Sequence, residues 1–197
     1  MKAHFRIGLT LFFLFTLLTG VVYPLVVTLI AQVAFPHRAN GSVVERNDQP
    51  IGSELIGQQF DDPRYFWGRP SATEKVPYNA ASSGGSNLGP TNPDLLKTMK
   101  ERVESIRQAH PDQTGPVPAD LVTASASGLD PQISPAAAEY QIARVAKARG
   151  MAEDVMRQLV ASNTQGKTLA LLGEPRVNVL RLNLALDQAS QSNDQAR

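Results

Sequence analysis

The sequence predicts an α+β protein: a single N-terminal transmembrane helix followed by one mixed domain with substantial irregular loops. Three observations lead there. From Ile7 to Phe35 the only ionisable side chain is the phenol of Tyr23. Residues 36–92 are rich in Gly, Pro, Asn and Ser and hold short apolar runs such as Val43–Val44 and Leu55–Ile56. Beyond Pro93, apolar residues recur at helical spacing, and near residues 175–187 they also alternate as in a strand.

The first stretch, as a helix rising about 1.5 Å per residue, would reach about 43 Å against a hydrocarbon core of roughly 30 Å. A cleaved secretory signal has an apolar region of only about 7–15 residues before small residues at the cut. This run is far longer, and Gln32 with Ala34 makes a poor cleavage pair. It therefore reads as a retained anchor. Gly20 and Pro24 are tolerated in membrane helices, where Pro24 would kink the span or mark a packed surface.

Lys2 and Arg6 precede the span, and His37, Arg38 and Arg46 follow it. Lys and Arg are nearly balanced across it, and the terminal amine tips the balance toward a cytoplasmic N-terminus. The expected organisation is a short cytoplasmic segment at 1–6 and a transmembrane helix at 7–35. A periplasmic domain at 36–187 and a polar flexible tail at 188–197 follow.

The chain carries 19 basic and 18 acidic residues, so it offers no polybasic surface for nucleic acid. It has no cysteine, and the domain must rest on packing rather than disulfides. Between prolines, the run Phe60 to Thr73 concentrates Tyr65, Phe66 and Trp67 with Arg64 and Arg69, and cannot be a regular helix. Two uses fit these aromatics: a mini-core for the loop, or a protein interface.

Helix signals begin at Thr91 or Asn92 as cap, with Pro93 in the first position. Leu95, Leu96, Met99, Val103 and Ile106 then form one stripe, expected in the core, to about Ala109. A long irregular link spans His110 to Ile133. Ser134-Pro135 opens a second helix with Ala138, Ile142 and Val145 on one face, ending near Gly150. Glu153 to about Ser162 forms a third. Residues 175–186 fit a strand and a helix equally, and Asn178 and Asn183 sit cleanly in neither.

Few residues form a reactive constellation. His4, His37 and His110 lack metal-ligand spacing. Ser83 and Ser86 have no His–Asp pair placed to activate them. Gly166-Lys167-Thr168 imitates the end of a phosphate loop, but Ala161 stands where that loop needs glycine. The turn Ser83-Gly84-Gly85-Ser86 could turn backbone N–H groups toward an anion, or serve as a structural turn. These residues point away from an autonomous enzyme and toward an accessory subunit or an independent membrane-anchored binding or structural module.

Several separate stretches carry a family resemblance: Gly52-Ser-Glu-Leu-Ile-Gly-Gln58, Tyr65-Phe-Trp-Gly-Arg-Pro-Ser-Ala72, and Ser83-Gly-Gly-Ser-Asn-Leu-Gly-Pro-Thr-Asn-Pro93. Asp120-Leu-Val-Thr-Ala-Ser125, Ser127-Gly-Leu-Asp-Pro131 and Gly173-Glu-Pro-Arg-Val-Asn-Val-Leu180 continue it. In that order behind one N-terminal span, they resemble KdpC, the C subunit of Kdp-type potassium-transporting ATPases. The resemblance implies a non-catalytic subunit at the bacterial inner membrane. Its partners would be a channel-like potassium-binding A subunit, an ATP-hydrolysing B subunit, a small F subunit and membrane lipid.

The same resemblance implies that the subunit raises the ATP affinity of the B subunit, with nucleotide contact mapped to Ser83, Gly84, Gly85 and Ser86. Topology opposes that contact, because a periplasmic turn does not meet cytoplasmic ATP. Two positions depart from the family pattern. Ala126 replaces a glycine, so its backbone is not expected to be left-handed, and Gln132 replaces a histidine and removes a titrating group.

Overall fold

A computed structural model describes residues 2–195, side chains being described as far as Gln191. The chain divides between Ile51 and Gly52 into two compact units.

The first unit opens with α1 (Lys2–Leu17), passes through a π turn at Leu18–Val22 and continues as α2 (Tyr23–Ala34). Together they make one apolar helix of 33 residues with no buried side chain, of membrane-spanning type. It starts before the expected Ile7 and stops one residue before the expected Phe35. Phe35 leaves helical geometry at φ −140°, as the residue ahead of Pro36 is biased to do. Pro24 lacks an amide proton, and the turn before it widens so that the Tyr23 N–H reaches Leu18 O. Thr16 and Thr19 return their hydroxyls to Phe12 O and Phe15 O, which satisfies them within the helix itself.

A short α3 (Pro36–Ala39) follows, then a hairpin of β1 (Val43–Arg46) and β2 (Gln49–Ser53). Its two linking residues, Asn47 and Asp48, both have positive φ, the geometry that two-residue hairpins require and that these residue types tolerate.

The second unit holds α4 (Pro93–Ala109), β3 (Gln132–Ile133), α5 (Pro135–Arg149), α6 (Glu153–Ser162), β4 (Thr164–Gln165), β5 (Arg176–Asn178) and α7 (Val179–Gln195). The fold is α+β. The strands form a small antiparallel sheet in the order β3-β5-β4, with Ile133 and Thr164 both opposite Val177. Its core joins Ile133 and Val177 to Ile142 and Val145 of α5, Met156 and Val160 of α6, and Leu182 and Leu186 of α7. α5 starts and ends on sequence signals: Ser134 Oγ accepts from the Ala137 N–H, and Gly150 closes the helix at φ 62°.

Several expectations change or sharpen. The α4 stripe is buried only toward its C-terminal end, at Ile106, while Leu96 is 50% exposed; the first turns of the helix project beyond the core. The link from His110 to Ile133 is irregular as expected apart from a 3₁₀ turn at Ala119–Leu121, which buries Leu121 and Val122. The ambiguous stretch after Pro175 is both things in succession. Asn178 ends the strand and caps the helix, its Oδ1 accepting from the Arg181 N–H at 3.0 Å while its Nδ2 donates to Glu54 O. α7 then runs through Gln188, where a polar tail was expected, to Gln195; the last two residues of that stretch lie outside the described ones.

Candidate functional site

The run from Phe60 to Thr73 has no regular secondary structure, so its backbone polar groups need partners from elsewhere. Two side-chain amides supply them. Asn183 on α7 accepts from the Phe66 N–H at 2.9 Å and donates to Phe66 O at 3.0 Å. Gln141 on α5 does the same for Trp67, at 2.7 and 3.1 Å. Each amide imitates a neighbouring β-strand for one residue, and both are buried. Phe66, 0% exposed, thereby enters the core, and Trp67 packs beside it.

Arg144 on α5 binds the same loop from beneath. Its guanidinium donates to Pro63 O, Tyr65 O and Gln141 Oε1, lies 4.0 Å from the centre of the Trp67 ring, and donates from Nε to His110 Nε2 at 2.8 Å. Burial pulls its pKa down to about 10, which still leaves it charged at neutral pH. His110 Nδ1 in turn donates to Ile106 O at 2.7 Å, so the ring is held as the neutral Nδ1–H tautomer. Burial lowers its pKa, the Ile106 carbonyl opposes that shift, and the Arg144 charge adds to it.

Arg69 fixes the far end of the run by pairing with Asp130 at 3.0 Å and donating to Thr123 O and Ala124 O. Tyr65 sits under Arg149, with its hydroxyl directed to Asp187 Oδ2 at 3.2 Å. Phe66 is in the core and Trp67 packs on it, while Tyr65 and Arg69, both half-buried, brace the loop. Sequence reasoning missed their holders, Gln141, Arg144 and Asn183. The available signal was polar residues interrupting apolar helix faces, which Asn183 showed.

Next to this loop lies a cleft of about 340 Å³, lined in part by Phe60, Trp67, Tyr78, Arg102 and Leu121. The Tyr78 hydroxyl donates to Arg69 O, and burial pushes its pKa up to about 12. Gly57 is required against its ring, because a Cβ there would come within 2.3 Å of Tyr78 Cε1. Among the described residues, no three His, Asp or Glu side chains gather as metal ligands.

The Ser83–Ser86 turn packs on the segment Ser125–Gly128. The Gly84 N–H and the Ser83 hydroxyl both donate to Ser127 O, at 2.9 and 3.0 Å. Gly128, at φ 66°, lies so close to Gly84 O that a Cβ would sit 2.5 Å from that oxygen. Gly85 also passes close to Ala126, a Cβ there lying 3.0 Å from Ala126 O, and the φ of Ala126 is not positive. Ser86 Oγ receives the Leu88 N–H at 3.5 Å. Gly166–Thr168 enters a hairpin rather than a helix, unlike a phosphate-binding loop.

Against known proteins, the family model for KdpC, the K+-transporting ATPase c chain, matches residues 5–188. The chain is 60% identical to the potassium-transporting ATPase KdpC subunit of Sorangium cellulosum over 189 residues, 96% of this chain and 100% of that one. It is 59% identical to the KdpC subunit of Herpetosiphon aurantiacus over 95% of this chain and 97% of that one. The KdpC subunit of Burkholderia orbicola is 59% identical over 96% of this chain and 98% of that one.

Proposed function

Because the chain belongs to the KdpC family, the c chains of K+-transporting ATPases, we propose that it is the non-catalytic accessory subunit of an ATP-driven potassium uptake complex. In that role it is needed for assembly and activity. The observation that carries the reading is the N-terminal helix Lys2–Ala34, apolar and without a buried side chain. In water such a surface is untenable; in a membrane complex it is an anchor with faces for partner helices. Lys2 and Arg6 ahead of the helix support a cytoplasmic N-terminal side, with the following domain in the periplasm.

The partners are the channel-like A subunit, the ATP-hydrolysing B subunit, the small F subunit and the surrounding lipid of the inner membrane. The non-catalytic role is supported by how polar groups are used. Gln141, Arg144, Asn183 and Arg69 hold backbone instead of converging on a reacting atom. An effect on the ATP affinity of the B subunit then travels through the membrane helices, not through nucleotide held at Ser83–Ser86. The Gly84 N–H is already bonded to Ser127 O, and ATP lies across the bilayer.

The test is purification of the tagged full chain from gently solubilised membranes. A- and B-type subunits should accompany it with potassium-dependent ATP hydrolysis, and recovery only as an isolated monomer would refute the reading. In the purified complex, Ser83→Ala with Ser86→Ala should leave the KM for ATP unchanged. A raised KM would restore direct nucleotide contact.

A further inference from the structure

The cleft of about 340 Å³ between the aromatic loop and α4 is large enough for a small organic molecule. Its lining is largely apolar: Ile106 and Leu121 are buried, and the rings of Phe60, Trp67 and Tyr78 are half-buried. The Tyr78 hydroxyl already donates to Arg69 O. Arg69 is itself neutralised by Asp130 and donates to two carbonyls. Arg102 on α4 is different. Its guanidinium donates from Nη1 to Val122 O at 3.1 Å and meets no carboxylate among the described residues. Burial lowers its pKa, and no neighbouring charge offsets that effect. Holding one carbonyl does not require a guanidinium, whose N–H groups form a fork matched to a carboxylate. A half-buried cation without an anion also carries a desolvation cost that a bound anion returns. Ser105, three residues further along α4, lines the same cleft and adds a hydroxyl donor.

We propose that this cleft binds a small planar organic acid, an aromatic ring bearing one carboxylate, with the carboxylate on Arg102 and Ser105 and the ring against Phe60, Trp67 and Tyr78. The aromatic walls favour a flat apolar body, which an inorganic anion lacks. The acid carries one charge because a second anion lines the cleft already. Asp61 is exposed, accepts from Gln59 Nε2 at 2.6 Å, and lies toward the Tyr78 end, where its charge helps to raise the phenol's pKa. It exerts no such effect on Arg102. A monocarboxylate thus meets the guanidinium at one end of the cleft, while a dianion is repelled at the other. The bound acid bridges α4 and the aromatic loop, so it also stabilises the fold by mass action.

Trp67, the one tryptophan, lines the cleft and reports its occupancy. The full chain in lipid nanodiscs is titrated with phenylacetate, with indole emission as the signal. The emission should change saturably, with half-saturation below about 1 mM. Phenethylamine has the ring with a cation and acetate has the charge without the ring; each should bind about tenfold more weakly or worse. Arg102→Gln keeps a donor for Val122 O and should raise the half-saturation point by about tenfold or more, with the ligand-free unfolding midpoint held. Should that variant fail to fold, the three probes on the unaltered chain decide the matter. No saturable change up to about 10 mM, equal binding of the three probes, or unchanged binding in a folded Arg102→Gln would overturn the proposal. Equilibrium dialysis with labelled phenylacetate repeats the measurement in the assembled pump. Retained binding there supports the site; loss of binding would assign the cleft to a carboxylate of another subunit and overturn it.

Discussion

Replacing Asn183 with leucine tests whether side-chain amides hold the aromatic loop. The two residues are close in size, so the change removes polar atoms with little change in volume. It leaves the Phe66 N–H and C=O buried without partners, where Asn183 now meets them at 2.9 and 3.0 Å. Each orphaned group costs about 1–3 kcal/mol, and the added apolar contact returns part of that, for a net loss of about 3 kcal/mol. For a unit of this size that lowers the unfolding midpoint by about 10 °C. The assay is urea and thermal unfolding of the detergent-solubilised full chain, followed by the emission of Trp67, its one tryptophan. Trp67 adjoins Phe66 and reports the loop directly. A loss below about 1 kcal/mol with an unchanged denaturant slope would refute the clamp.

Other outcomes follow from the same geometry. His110 excludes its proton when folded more strongly than when unfolded, so the unfolded chain binds the extra proton in mild acid. Stability should be full above about pH 6.5 and fall as pH drops below it; a midpoint measured across that range should flatten in His110→Gln. Gly128→Ala forces a side chain onto Gly84 O at positive φ, and should cost about 2 kcal/mol or more in urea unfolding. It should also speed proteolysis at the Ser83–Ser86 turn.

Residues whose role is set by near neighbours in the chain were legible in the sequence. The apolar run gave a helix of membrane-spanning type, Ser134-Pro135 and Gly150 marked both ends of α5, and Asn92-Pro93 marked the start of α4. Local chemistry suffices there, because a cap bonds within one turn and lipid requires only an unbroken apolar length. The candidate site was legible only in part. Phe60–Thr73 was marked as an aromatic, non-helical run, but core and interface were equally open readings. Only the tertiary structure brought Gln141 and Asn183, far along the chain, to the Phe66 and Trp67 backbone.

Asn178 shows the same boundary inside a single residue. Periodicity read strand and helix equally well, because the choice rests on β3 pairing beside it and on Glu54 receiving its amide. The glycine turn at Ser83–Ser86 kept two readings until Ser127 was found against it. The exposed leucines at 169–172 carried no signal in sequence, since an apolar run does not say which way it faces. The sequence by itself determined the long apolar helix, the starts of α4 and α5 and the family. The tertiary structure decided which polar groups hold the loop together and which apolar groups stay exposed, because burial and pairing between distant segments exist only once the chain has folded.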